Sequence, residues 1–170
     1  KKVDDASKYI KTILGKNFIP SYPVYILGIL QSLEGARSGS ENYSLHGFYY
    51  EHLINDALFQ AVENPKNIGF YRKFLTVLCY SFFHENRKRI SIDEFDYFYE
   101  TYCNEYDVRN IGKKEVKTTL KKSKLLHFNS EVTLGHKYVY YFFVAKYIAD
   151  NIDKVEIIDI VKKLCKRIFK

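Results

Sequence analysis

The sequence predicts a mainly α-helical protein with one small β-hairpin. Apolar residues recur at helical spacing in most segments, as in Phe70, Phe74, Leu75, Val77, Leu78 and Phe82. One short stretch reads instead as two β-like pieces around a polar turn, Leu125–Phe128 and Val132–Leu134. The apolar supply is sufficient for a core: hydrophobic residues make up 46% of the 170 positions, with 16 Tyr and 13 Phe. No apolar run approaches the ~18 residues of a membrane span, and the longest, Val139 to Ile148, is interrupted by Lys146.

The elements follow in order. Asp4 and Asp5 open a helical pattern through Tyr9, Ile10, Ile13 and Leu14, which Gly15 is placed to end. Pro20 and Pro23 exclude an ordinary helix interior between Asn17 and Pro23. Ser21 can cap a new helix with Pro23 in its first turn, running through Val24, Ile26, Leu27, Leu30 and Leu33 and apolar nearly all round. The stretch from Gly35 to Asn42 is a Gly- and Ser-rich linker. Ser44 then caps a long helix through Leu45, Phe48, Leu53, Leu58 and Val62, stopped by Asn64-Pro65. Ile68 to His84 has the spacing of a core helix.

Beyond His84 the pattern changes. Ile90-Ser91-Ile92 is a short apolar piece, and Ser91 with Glu94 three residues on forms a capping box. A helix follows through Phe98, Tyr99 and Tyr102, then a turn from Asp107 to Gly112. Lys113 to Ser123 is a basic helix anchored by Val116 and Leu120. The two β-like pieces come next, joined by Asn129-Ser130-Glu131. Three helices and a hairpin in this order are the order of a winged helix-turn-helix domain. Two more helices are expected: an intensely aromatic one from Lys137 to Asp150, and Val155 to Phe169 with lysines on its outer face. The domains expected are therefore a helical one over 1–66, a winged-helix one over 67–150, and a C-terminal helix over 151–170 that opens a further helical domain.

The formal charge is +7 and the pI about 9.1, a balance that suits a polyanionic partner or a solvated lysine-rich surface. Cys79, Cys103 and Cys165 are far apart and odd in number, with no C-x-x-C. Buried, reduced thiols in a cytoplasmic protein are expected. Position 1 is Lys and the chain contains no Met, so the native N-terminus is expected upstream.

A catalytic site is not legible. A P-loop requires G-x-x-x-x-G-K-[ST] so that backbone N–H groups cradle phosphates. At Gly15-Lys16, position 10 is Ile and position 17 is Asn, so the pattern fails twice. H-E-x-x-H, G-x-S-x-G and G-x-G-x-x-G are absent from the sequence. His46 and His52 are six residues apart, on different faces of one helix, which argues against a shared metal site. The helix bearing Lys113, Lys114, Lys117 and Lys121 occupies the recognition position of a winged helix. Yet it offers no Arg, Asn or Gln for bidentate base contacts. His136 directly follows the hairpin and precedes the aromatic helix. It suits either an anion at a helix N-terminus or a capping role.

Two segments together resemble a family. Leu134-Gly135-His136-Lys137-Tyr138-Val139-Tyr140-Tyr141-Phe142-Phe143-Val144-Ala145 is similar to the F-x-H-x-x-x-x-E-Y-F-A-A segment that closes the winged helix of NACHT-type STAND ATPases. Pro23 to Leu30 resembles the N-P-L-F-L-x-L-L-C helix that opens the helical domain after their nucleotide-binding core. Here Tyr140 or Tyr141 stands for the usual acid, and Gly135 for the aromatic before the histidine. The resemblance spans residues 18–150. It implies that Pro23, or alternatively Pro20, packs on the adenine ring, and that His136 contacts the β-phosphate of ADP in the closed state. It further implies an ATP/ADP-binding domain upstream of Lys1, homo-oligomerisation on activation, and a role in signalling or defence against phage. No metal is expected in this segment, and the segment itself is expected not to be an enzyme. The rival expectations are a free-standing winged-helix DNA-binding protein and a structural adaptor that offers its aromatic helix to a protein partner.

Overall fold

A computed structural model describes residues 45–168. The expected helices upstream of Ser44, with Pro20 and Pro23, lie outside the described residues. The chain divides into two units, Lys1–Leu53 and Ile54–Lys170. The second unit carries the described core and the sheet.

The described part is mainly helical, with a small three-stranded antiparallel sheet. Helix α1 (Leu45–Ala61) buries Ile54, Leu58 and Ala61 of the second unit. It stops before Asn64, whose side chain accepts from the Lys66 amide at 3.1 Å and starts a single 3-10 turn over Pro65–Asn67. Helix α2 (Ile68–His84) is the core helix. Tyr71, Phe74, Leu75, Leu78, Cys79 and Phe82 are all buried along it. Strand β1 (Arg89–Ser91) is separated by α3 (Ile92–Glu105) and α4 (Lys113–Lys122) from strands β2 (Leu126–Phe128) and β3 (Glu131–Leu134), which a short turn joins. Helices α5 (Lys137–Asp150) and α6 (Val155–Ile168) follow, and α5 packs along α2.

Each boundary has a local cause. At the start of α3 the capping box is complete: Ser91 Oγ accepts from the Glu94 amide at 3.1 Å, and a Glu94 carboxylate oxygen accepts from the Ser91 amide at 2.7 Å. Three helices end on a residue with positive φ, and none of the three is glycine: Asn86 at 53°, Asp107 at 49° and Lys124 at 57°. After Asn86 the Arg87 amide reaches back to the Phe82 carbonyl at 2.8 Å, and after Asp107 the Val108 amide reaches Cys103 at 2.9 Å. These are Schellman closures of otherwise orphaned carbonyls. Asn and Asp tolerate the left-handed region, whereas Lys124 adopts it at a cost of roughly 1 kcal/mol.

The sheet order is β1-β3-β2. Ile90, Val132 and Phe128 form one inward row, and Arg89, Thr133 and His127 the outward row beside it. The hairpin loop between paired Phe128 and Val132 is Asn129-Ser130-Glu131, with Glu131 also pairing Ser91 across β1. The sheet is thus larger than the expected hairpin. The strand β1 is three residues long, too short for periodicity to separate it from a loop.

Aromatic rings fill the centre. Phe74 meets Tyr102 edge-on at 5.1 Å and Phe95 at 5.8 Å, and Phe95 meets Phe128 at 5.1 Å. The buried hydroxyls are satisfied: Tyr99 Oη donates to the Ile111 carbonyl at 2.5 Å, and Tyr71 Oη to Thr119 Oγ1 at 3.2 Å. Burial pushes the Cys79 thiol well above its ordinary range, which makes it an inert core residue. Among the described residues no helix is long and apolar enough to cross a membrane.

Candidate functional site

The end of α2, the end of β3 and the start of α5 enclose a cleft of about 290 Å³. The turn after α2 supplies Arg87 and Lys88, β3 ends there with Leu134, and α5 supplies His136, Lys137, Tyr140 and Tyr141. Among the described residues none that lines it is acidic. Arg87 faces away from the task of holding an anion, because its guanidinium is paired with Glu94 at 2.6 Å and Glu85 at 2.8 Å. Lys88 and Lys137 are exposed and make no ion pair with any described residue.

His136 is the N-cap of α5, extended at φ −143° and ψ 147°, and its side chain makes no capping hydrogen bond. The capping role that the sequence left open is therefore not taken up. The ring lies nearly parallel to Tyr138, centroids 5.3 Å apart. Backbone register explains its surroundings. The Gly135 amide donates to the Leu125 carbonyl at 2.8 Å, continuing the β2-β3 ladder by one step. His136 thus comes beside Lys124, with His127 nearby on β2. Partial burial holds the His136 imidazole below its ordinary pKa, and the charges of His127 and Lys124 push the same way.

Gly135 is the hinge of this arrangement. A Cβ there would stand 1.9 Å from the Lys124 carbonyl oxygen, so only glycine admits the contact. The tight approach exists because Lys124 has turned left-handed to end its helical segment.

The lysines of α4 divide into two sets. Lys113 Nζ is 2.8 Å from Glu100 and 3.6 Å from Asp96, and Lys117 Nζ is 2.5 Å from Asp96. The hydrogen bond that Lys113 donates to Glu100 leads the causes that raise the Lys113 pKa. Lys114 and Lys121 are exposed and make no ion pair with any described residue. The four lysines therefore do not form one free cationic face.

A second cleft of about 480 Å³ lies between α2, β1 and α3, lined by Leu78, Phe82, Ile90, Tyr97 and Phe98 with Glu85, Arg87 and Glu94 among its polar residues. Arg87 pairs with both carboxylates, which leaves these three groups at a net charge of −1, and Asp93 also lines the cleft. Among the described residues no three potential metal ligands converge.

Pattern reading picked out His136 but missed Lys88 and Lys137 as its neighbours. Lys137 adjoins His136 in sequence and was legible as part of the same helix start. Lys88 comes from 48 positions upstream in the chain, and the pairing of β1 with β3 and the packing of α5 along α2 bring it there. No family model matches the chain, and neither a curated protein nor a solved structure matches it.

Proposed function

We propose that this chain is a nucleotide-gated regulatory module of a STAND-type signalling ATPase, a helical segment followed by a winged helix. In this reading an upstream domain of the same protein binds ADP or ATP in the cytoplasm. The winged helix reports which nucleotide is bound and holds the protein closed until exchange permits homo-oligomerisation. Signalling or defence against phage is the setting that the family resemblance supplies.

The observation that supports the reading most is the position of His136. It opens α5 directly after the hairpin, in an acid-free cleft beside Lys88 and Lys137. An imidazole and a lysine at a helix start, with Lys88 lining the same cleft, suit the terminal phosphates of a nucleotide. The element order supports it as well: helix, strand, two helices, then two strands, with the sheet ordered β1-β3-β2. Closing and opening would follow from the different contacts that ADP and ATP make with this one element.

The test is His136→Ala in the complete protein, reading the nucleotide that co-purifies and the oligomeric state. Loss of ADP with assembly in its absence is the expected result. Unchanged ADP content and an unchanged monomer would overturn the proposal.

DNA binding is the second reading, favoured by exposed Lys114 and Lys121 on α4. The internal pairing of Lys113 and Lys117 counts against it. It requires an affinity for duplex DNA that falls steeply with salt. An electrophoretic titration at low and moderate salt decides the matter, and absence of binding in both removes this reading.

A further inference from the structure

The larger cleft, between α2, β1 and α3, joins an apolar floor to an acidic rim. Leu78, Phe82 and Ile90 are buried beneath it, and Tyr97 stands at its edge with 74% of its surface exposed. An exposed tyrosine beside an apolar floor fits the core of an interface better than a solvated surface. Around these groups Glu85, Asp93 and Glu94 oppose Arg87 alone, three carboxylates against one guanidinium, for a net charge of −2. Glu85 and Glu94 share Arg87, while Asp93 makes no ion pair with any described residue. On a chain of formal charge +7 this cleft is a local reversal of sign.

Helix α6 has the complementary pattern. Ile157, Ile160 and Val161 fall on one side at helical spacing, and the sequence continues that spacing with Leu164 and Ile168. Ile157 is buried against its own chain, but Ile160 and Val161 are only half-buried. From Lys162 to Lys170 the sequence holds five basic residues and no acid. Lys162 reaches back to Asp159 at 3.6 Å, and exposed Lys163 makes no ion pair with any described residue. No described residue of α6 lines the cleft. One chain therefore carries two matched surfaces that are separate from each other.

We infer that the cleft between α2 and α3 is a docking groove for α6 of a second copy of this chain. The apolar stripe of α6 fills the floor beside Tyr97, and its lysines meet the acidic rim. Charge complementarity at the rim selects the partner, and the apolar floor supplies most of the hold. Because the two surfaces differ, the contact is heterologous. Exchanged reciprocally it closes a dimer, and otherwise it runs from copy to copy. The inference takes from the nucleotide-gated reading only that copies of the chain meet, and rests on it in that one respect.

The test is sedimentation velocity on the complete protein and its variants, with ADP and with ATP. Asp93→Lys alone, and Lys162→Glu with Lys163→Glu alone, are each expected to weaken association about tenfold. Mixing the two variants is expected to restore it, because each then offers the charge that the other lacks. Restoration also shows that both variants fold. Tyr97→Ala removes an exposed side chain and is expected to weaken association about tenfold while leaving the thermal unfolding midpoint in place. A protein that stays monomeric with either nucleotide overturns the inference. So do charge variants that associate unchanged, a mixture no better than its components, or indifference to Tyr97→Ala. Association lost in the lysine variant but untouched by Asp93→Lys and Tyr97→Ala also overturns it, and assigns α6 to pairing with α6. The two proposals fail separately. Assembly with ATP that survives both charge variants removes this surface alone. Charge-matched association that is equal with ADP and ATP removes the nucleotide gating alone.

Discussion

Lys117 Nζ and Asp96 Oδ1 lie 2.5 Å apart, joining α4 to α3 by an ion pair in which both side chains are about three-quarters covered. Lys113 reaches the same carboxylate from one turn away. One aspartate therefore holds two lysines that composition alone would assign to a nucleic-acid surface.

Asp96→Ala is expected to lower stability by about 1–2 kcal/mol, between the worth of an exposed pair and that of a buried one. Urea unfolding measures it. The same variant frees Lys113 and Lys117, so any DNA affinity should increase. A drop in affinity would mean that Asp96 positions these lysines for DNA.

Much of the fold was legible because the signals were local. Helix α2 begins at Ile68 and ends at His84 where apolar spacing puts it, and the Ser91–Glu94 box starts α3. The helix ends were harder to read. Glycine is the usual mark of a left-handed C-terminal residue, and here Asn86, Asp107 and Lys124 do that work. The site was legible only at His136, because its partners arrive through strand pairing. The charge partners of α4 were hidden for a related reason: Asp96 faces Lys117 only once α3 and α4 pack together.

Ser91→Ala removes the side-chain half of the capping box and is expected to cost about 1 kcal/mol. Thermal or urea unfolding reads the loss. Ser91→Thr or Ser91→Asp should recover most of it, since both supply an oxygen to the Glu94 amide. Failure of both to do so would show that packing beneath β1 sets the cost, not the cap.

Gly135→Ala should be among the most damaging small substitutions in the chain. The added methyl meets the backbone oxygen of Lys124, which cannot rotate away as a side chain would. A loss of about 2 kcal/mol is expected, in the range for overpacked sites. Local relaxation would shift His136 relative to Lys124, so the chemical shifts at the start of α5 should move in the folded fraction. An alanine variant with wild-type stability would mean that the β2-β3 ladder ends before Gly135 in solution.

Stability should depend on pH through His136, and the sign follows from the direction of its shift. The folded protein holds the imidazole below the ordinary value of 6.5, first through partial burial and then through His127 and Lys124. Between the folded and unfolded pKa values the unfolded chain therefore binds more protons, so stability rises with pH across that window. Above it the imidazole is neutral in both states and contributes no slope. Below the folded pKa the penalty is complete and constant. Urea midpoints measured from about pH 8 down to about pH 5 should be flat at first and then fall as the pH drops through the unfolded imidazole's range toward the folded value. His136→Gln should remove part of that fall. A midpoint that rises on acidification, or a fall left intact in His136→Gln, would mean that burial and the neighbouring His127 and Lys124 do not hold the imidazole below its ordinary value.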